Sequence, residues 1–289
     1  MPDWQWPVGA DNTAAYVESE QVARAHAPWR LVAASRRGRL HAHRGDHRED
    51  AIAFVDHRDG WCGAVADGAG SAPWSRIGSA VARHTFCTEF ARTEGTATER
   101  AHAAATCSAR VLREVAERCE LPTRALRTTL LIAATAGAQL ITMQVGDGGI
   151  ALIGHDGVTR SPQAGDSGDF SGEVTHFLPD DGSAERLATS LAVTPWHDVR
   201  AILLCTDGIE DPWYPLSRHA ALLAESLEQG MNDERAAAIQ AACGVESAWR
   251  GPVSEASTPG DALAEWMSFT KRGENDDRSL LFAYRSARA

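Results

Sequence analysis

Short apolar runs separated by turn signals dominate much of the chain, a pattern typical of β-strands. AIAFV (51–55) and WCGAVA (61–66) flank the polar DHRDG segment and predict a β-hairpin. An apolar meander follows, in which AGAQ and GDGG predict tight turns between three strands. The runs that predict the remaining strands are LVAAS from Leu31, then TTLLIAAT, LITMQV, IALIG, TSLAVT, VRAILLC and RSLLFAY.

Helical periodicity is confined to separate blocks of the chain. Residues 75–92, 97–119 and 216–247 predict helices, and EASTPGDALAEWMSF predicts another. Because strands come in antiparallel runs and do not alternate with helices, the pattern favours an α+β fold. We expect an N-terminal extension over residues 1–30 and one domain over 31–289. Within that domain the Gly-, Ser- and Asp-rich segment 161–187 predicts a mobile excursion.

Composition narrows the class of protein. A hydrophobic content of 44% provides for a sizeable core, and a formal net charge of −11 argues against nucleic-acid binding, which needs a basic surface. Six cysteines without a CxxC pair predict reduced, buried thiols. We see no signal peptide and no apolar run long enough for a membrane span. We therefore expect a soluble, cytoplasmic, monomeric protein.

Acidic residues gather at the open end of the predicted hairpin. With a turn near Arg58, cross-strand partners have residue numbers that sum to about 116. Glu49 then lies opposite Asp67, with Asp50 beside them. Like charges at such close range are unfavourable unless a cation lies between them, and carboxylate oxygens suit Mg²⁺ or Mn²⁺.

The same arrangement recurs at other strand ends. Asp207 follows the strand AILLC, Asp276 and Asp277 precede the last strand, and Asp147 lies in the GDGG turn. An isolated Asp-Gly after a strand is more often a turn signal than a ligand. The recurrence at four separate strands is what favours a metal site.

Taken in order, five short motifs resemble those of the metal-dependent protein phosphatases of type 2C: REDA, VADGAGSA, VGDGG, LLCTDGIED and NDDRSLL. The resemblance covers about residues 31–285. VADGAGSAPWSRIGSAVA, GDFSGEVTHFL (168–178) and a histidine nine residues before Asp50 are similar to a bacterial branch. The resemblance implies an αββα four-layer sandwich, with two antiparallel sheets flanked by helices. It implies hydrolysis of phosphoserine and phosphothreonine, in which a water bridging two cations attacks phosphorus directly.

The resemblance also implies roles for the acidic residues. Asp67, Asp207 and Asp276 would be the catalytic metal ligands, with Asp67 bridging two ions of Mn²⁺ or Mg²⁺. The Gly68 carbonyl would bind one ion and Glu49 would complete the second. Asp50 would be either a ligand or a hydrogen-bond acceptor beside the ligands. Asp147 with Asp207 would hold a third ion.

Three positions depart from the family pattern. Gly45 stands where members often have a phosphate-binding arginine, so Arg44 is the candidate for that contact, with Arg39 and Arg48 as rivals. Ala69 stands where some eukaryotic members have a histidine that acts as a general acid. Asp277 replaces the usual asparagine.

Two other interpretations stay open at this point. HAHRGDH is close to the zinc motif of metallo-β-lactamase-like hydrolases, with His41, His43 and His47 as ligands, although one residue too many separates His43 from Asp46. Otherwise these histidines belong to a polar strand with solvated imidazoles, or one of them lies near the substrate phosphate. The departures also fit a phosphatase-like regulatory module with little turnover. The expected partner is a phosphorylated protein, the target of a bacterial serine/threonine kinase.

Overall fold

Two antiparallel β-sheets form the centre of the computed structural model, which describes residues 18–162, 176–247, 249–253 and 258–285. The strands are β1 Ser19–His26, β2 Trp29–Arg36, β3 Ala51–His57, β4 Gly60–Ala66, β5 Leu130–Ala136, β6 Gln139–Val145, β7 Gly149–Gly154, β8 Thr159–Arg160, β9 Ala192–Pro195, β10 Val199–Cys205 and β11 Arg278–Arg285. One sheet has the order β1-β2-β11-β10-β7-β8 and the other the order β3-β4-β5-β6-β9.

Eight α-helices occur in the described residues. They are α1 Arg39–Arg44, α2 Ser75–Arg92, α3 Ala97–Arg118, α4 Ser183–Thr189, α5 Asp207–Glu210, α6 Leu216–Gln229, α7 Asp233–Cys243 and α8 Pro259–Trp266. A capping box fixes the start of α3, since the Thr96 side chain accepts from the Glu99 N–H and the Glu99 carboxylate accepts from the Thr96 N–H. None of the described helices is both long and apolar enough to cross a bilayer.

Strand alternation divides the apolar residues into three layers. In β10, Ile202 and Leu204 pack between the two sheets, whereas Leu203 and Cys205 pack against the helices outside the six-stranded sheet. In β4, Val65 lies between the sheets and Ala64 faces α2 and α3. Apolar side chains on both faces require cover on both faces. The result is the predicted αββα sandwich.

Several boundaries differ from the predictions. Residues 19–26 form β1, a strand paired with β2, so the expected extension contributes an edge strand to the sheet. Residues 1–17 lie outside the described residues, and the domain boundary stays a prediction. The predicted helical block 216–247 is two helices, because Gly230 with a φ of 74° ends the first.

The predicted excursion 161–187 also differs in part. The end of this segment belongs to α4, and Leu187 of α4 is fully buried in the apolar core. This portion is therefore packed helix and not loop. Residues 163–175, which include most of the GDFSGEVTHFL motif, lie outside the described residues.

Candidate metal centre

The acids that the sequence places at strand ends come together at one edge of the sandwich. Asp50 immediately precedes β3, Asp67 immediately follows β4, and Asp207 is the second residue after β10. The Asp67 carboxyl lies beside those of Asp50 and Asp207. Its electrostatic neighbours also include Asp147 and Asp276. Both sheets therefore contribute carboxylates to one cluster.

Burial and mutual repulsion make this cluster costly as a set of bare anions. Burial, together with the charges of Asp147 and Asp276, raises the pKa of Asp207 to about 7. Burial likewise raises the pKa of Asp147 to about 7. The pKa values of Asp50 and Asp67 lie well above their ordinary range, first because of burial and then because of neighbouring carboxylates. Burial also raises the pKa of Glu49.

Two buried oxygens of the cluster have no hydrogen-bond partner in the part of the chain that the structure describes. Oδ1 of Asp50 and Oδ1 of Asp207 are both buried and accept no hydrogen bond from the described residues. Buried carboxylate oxygens normally have a partner, and each unpartnered one needs an explanation. Several converging carboxylates with unpartnered oxygens suit a hard divalent cation such as Mg²⁺ or Mn²⁺. The residues present therefore fit the metal ions that the family motifs imply.

The hydroxyl of Thr206, the residue directly after β10, holds the second oxygen of Asp50. Thr206 Oγ1 donates to Asp50 Oδ2 at 2.8 Å and accepts from the Ser279 N–H at 3.0 Å. Asp50 is only 3% exposed. This network ties the segment before β3, in one sheet, to β10 and β11 in the other. Sequence reasoning missed Thr206, although a hydroxyl between a buried strand and Asp207 is a signal that could have identified it.

The loop after β4 is held close to its neighbours by the backbone. The Asp67 N–H donates to Thr129 Oγ1 at 2.9 Å, and the Asp67 carbonyl accepts from the Thr128 hydroxyl at 2.7 Å. A Cβ at Gly68 would lie 2.7 Å from Cβ of Ser75 and 3.0 Å from the Glu49 carbonyl oxygen. Only glycine fits there. The Gly68 backbone is thus packed directly against the residues around Glu49.

The turn that carries Asp147 is supported from inside. Gly146 and Gly148 have φ values of 88° and 85°, which side-chain-bearing residues rarely adopt. The Gln144 amide donates to the carbonyls of Gly146 and Gly148 at 3.2 and 2.9 Å, and to that of Asp147 at 3.4 Å. This buried amide fixes the turn and so the position of the Asp147 carboxylate.

Asp277 connects three segments around the site. Its Oδ1 accepts from the Gly38 N–H at 2.6 Å, and its Oδ2 accepts from the Glu49 N–H at 2.6 Å. His41 Nδ1 lies 2.9 Å from the same Oδ1. Asp276, the preceding residue, is exposed. One potential ligand atom from each of His41, Asp276 and Asp277 lies within 4.8 Å of the other two. The Asp277 carboxylate uses both oxygens, which an asparagine amide could not do.

The histidine-rich segment adopts a helix, contrary to the expected polar strand. Residues 39–44 form α1, whose Gly45 C-cap has a φ of 76°. His43 and His47 are exposed, whereas His41 faces Asp277. The three imidazoles therefore do not converge as zinc ligands, and the metallo-β-lactamase-like interpretation is not supported.

The arginine candidates for a phosphate contact differ in placement. Arg48 is 2% exposed and donates to the carbonyls of Asp50 and Ser35. It therefore acts as a structural residue, which removes it as a rival. Arg44 and Arg39 are exposed on α1. The structure leaves both available to solvent on the helix that carries His41.

The hairpin register is one residue away from the predicted one. Ala51 pairs with Ala66 and His57 with Gly60. If this register is extended by one residue pair beyond Ala51 and Ala66, Asp50 rather than Glu49 lies across from Asp67. The prediction was wrong because the turn is centred between Arg58 and Asp59 rather than on Arg58. Adjacent residues of an extended segment point to opposite faces, which explains why Asp50 is buried and Glu49 is less so.

Comparisons with known proteins agree with this fold. The sequence model described as protein phosphatase 2C matches residues 37–242. The serine/threonine phosphatase Stp1 from Staphylococcus aureus is similar in structure with a TM-score of 0.56 and 13% identity, over 94% of this chain and 96% of that one. The Mycobacterium tuberculosis serine/threonine phosphatase PstP/Ppp is similar with a TM-score of 0.54 and 16% identity, over 90% of this chain and 99% of that one. No significant match occurs among curated proteins.

Proposed function

The chain belongs to the protein phosphatase 2C family of serine/threonine phosphatases, and we propose that it hydrolyses phosphoserine and phosphothreonine with divalent metal ions held at the carboxylate cluster. Asp67 would bridge two ions. The other groups assigned to these ions are the Gly68 carbonyl, Glu49, Asp207 and Asp276. Asp147 with Asp207 would hold a third ion.

The observation that carries the proposal is the carboxylate cluster itself. The pKa of Asp67 is raised by burial and by four other aspartates, Asp50, Asp147, Asp207 and Asp276, and two buried oxygens of this cluster have no partner among the described residues. A purely structural role would leave this repulsion uncompensated. Mg²⁺ and Mn²⁺ both suit an all-oxygen set of this kind. The cluster is best explained as a cation-binding site.

When bound, the cations would supply Lewis-acid chemistry that lowers the pKa of a water and orients it toward phosphorus. Asp50, held by Thr206, would be a ligand or would fix the neighbouring Asp67. No protein nucleophile is required for this reaction. Cys205 fits that expectation, since it is fully buried against the helices and burial raises the pKa of its thiol well above the ordinary range.

Substrate contacts are assigned by exposure and charge. Arg44, exposed on α1, is the proposed contact to the substrate phosphate, with Arg39 as its rival. The proposed substrate is a phosphoprotein made by a bacterial serine/threonine kinase, acted on in the cytoplasm by a monomeric enzyme. Loops beside an active site commonly select substrates, and segment 161–187 is the proposed selector.

The second candidate function is a phosphatase-like regulatory module that binds metal with little turnover. Ala69 and Gly45 favour it, because each replaces a residue that contributes to phosphate binding or leaving-group protonation in some relatives. Retention of every acid in the cluster favours the active enzyme.

A metal titration with two substrates separates these functions. The purified protein is stripped of metal and assayed on p-nitrophenyl phosphate and a phosphothreonine peptide with increasing Mn²⁺ or Mg²⁺, with bound metal measured in the same samples. The proposal predicts hydrolysis that needs metal and survives thiol alkylation. Metal binding without hydrolysis would favour the regulatory module. Absence of both would refute the metal centre.

A further inference from the structure

A small polar cavity adjoins the carboxylate cluster on the side of Asp147. It has a volume of about 200 Å³ and lies between the start of β7, the end of α5 and the start of α6. The polar groups that line it come from Gln144, Ser161, Glu210, Tyr214 and Ser217. The metal-ligand assignments above use none of these five residues, although Glu210 lies within the LLCTDGIED motif.

Glu210 supplies the carboxylate of this cavity. A Cβ at Gly149 would lie 3.3 Å from the Glu210 carboxylate and 2.3 Å from Leu216, so the glycine leaves room for both side chains. No lysine or arginine of the described residues pairs with Glu210. Lys271, the cation near Asp211, donates instead to the carbonyls of Asp211 and Pro212. Glu210 is thus a partly buried acid with no cationic partner in the described part of the chain.

The cavity is built into the support of the metal centre. Glu210 lies one helical turn after Asp207 in α5, and Gln144 lines the cavity while its amide holds the Asp147 turn. Burial and the charges of Asp211 and Asp207 raise the pKa of Glu210 to about 7, so a cation beside the ionised carboxylate would be favourable. A ligand in this cavity would lie beside the turn that carries Asp147, one of the proposed metal ligands.

We propose that this cavity is a subsite for a basic side chain, lysine or arginine, of the phosphorylated substrate, an inference that rests on the proposed phosphatase function. Its volume matches one long side chain rather than a larger ligand. Glu210 provides the counter-charge, and the Tyr214 ring, 70% exposed at the rim, provides a cation–π surface. The net charge of −11 adds long-range attraction for basic substrates.

The experiment compares matched phosphothreonine peptides that carry either one lysine or one alanine at each position around the phosphothreonine in turn. The readout is the ratio of kcat/KM for the lysine peptide to that for its alanine counterpart, measured for each enzyme with saturating Mn²⁺. For the unmodified chain we expect about a tenfold preference for lysine at one position. Glu210→Gln should reduce that ratio to about one, and Tyr214→Leu should reduce it several-fold. Glu117→Gln, at an exposed site on α3, should not change it.

Each other outcome has a defined meaning. If p-nitrophenyl phosphate and alanine peptides are hydrolysed but lysine gives no preference, the subsite is wrong and the phosphatase function stands. The same ratio in Glu210→Gln as in the unmodified chain also overturns it. If Glu210→Gln instead removes one bound Mn²⁺ measured by electron paramagnetic resonance, the cavity holds a metal ion and the proposed subsite for a basic side chain is wrong. Failure to hydrolyse any of these substrates overturns the phosphatase function and the subsite together.

Discussion

Nδ1 of His41 lies 2.9 Å from Oδ1 of Asp277. This pair joins α1 to the residue directly before β11. Asp277 is 2% exposed and also accepts the N–H groups of Gly38 and Glu49. The aspartate that replaces the usual family asparagine is therefore matched to three donors. The pair fixes the backbone on both sides of the histidine-rich segment and so the position of Glu49.

Asp277→Asn should destabilise the protein although it restores the family's usual residue. The amide has one acceptor oxygen, so one of the two buried N–H groups would lose its partner and the cationic His41 its counter-charge. An unpartnered buried donor costs roughly 1–3 kcal/mol in the free energy of unfolding. Urea denaturation measures the change. Asp46→Asn, on the same segment but exposed, is the control and should be near neutral. Equal stability of both variants would contradict the role of Asp277.

His41 should give the metal-free protein a characteristic pH dependence. The proximity of Asp277 raises the pKa of His41 to about 9. Because the folded pKa lies above the unfolded one, this stabilisation is complete below about pH 6.5 and is lost as the pH rises through about 9. Thermal unfolding across this range should show a loss of stability that His41→Asn lacks. Parallel curves for the two proteins would refute the pairing.

Sequence patterns were enough to predict an α+β fold and the strand ends that carry the acids, and the resemblance to the phosphatase family implied the four-layer sandwich. Strand alternation and the ordered motifs identified Asp67, Asp147, Asp207 and Asp276, because a local signal, an acid directly beside an apolar strand, marks each of them. Those patterns could not predict the Asp277 network. Its partners Gly38 and Glu49 are more than 200 residues away in sequence, and contacts of this kind depend on tertiary packing.

The histidine segment was mispredicted for a local reason. Arg39–Arg44 is too short for helical periodicity to be recognised, and its end depends on Gly45 in the left-handed region. The hairpin register failed by one residue because turn position was inferred from composition alone. In both cases the error lay in backbone geometry. The structure does bring the predicted acids together, and their role as metal ligands stays a prediction.

Gly68→Ala should disrupt the metal loop, and Gly70→Ala should not. A Cβ at Gly68 would lie within 2.7–3.0 Å of Ser75 and the Glu49 carbonyl, whereas at Gly70 the nearest atom is the Glu49 carboxylate at 4.0 Å. Overpacking of this kind costs about 1–3 kcal/mol. We expect Gly68→Ala to lower the unfolding free energy and weaken Mn²⁺ binding measured by calorimetry. Similar behaviour of the two variants would show that the loop tolerates displacement.

The carboxylate cluster should make the metal-free protein less stable as the pH rises. The folded pKa values of Asp147 and Asp207 are about 7, above the ordinary value of 3.8. The folded state therefore binds more protons than the unfolded state between about pH 4 and 7, and the free energy of unfolding falls across this window. Asp147→Asn should flatten the fall. Mn²⁺ should raise the melting temperature more at the upper end of the window than at the lower end, because binding displaces these protons. A stabilisation by Mn²⁺ that does not depend on pH would count against this cluster as its binding site.

The most direct test of the metal centre is kcat/KM on a phosphothreonine peptide for Asp67→Asn and Asp207→Asn, with bound Mn²⁺ counted in the same preparations. Both amides preserve shape but remove the charge that would hold the cations. The exposed Asp181→Asn is the matched control. In both cluster variants we predict that kcat/KM falls by more than about 100-fold and that fewer ions are bound. This loss is larger than that expected for removing a residue that only contacts a metal ligand. The control should show no change. Unchanged turnover in Asp67→Asn or Asp207→Asn, with the protein folded, would contradict the account.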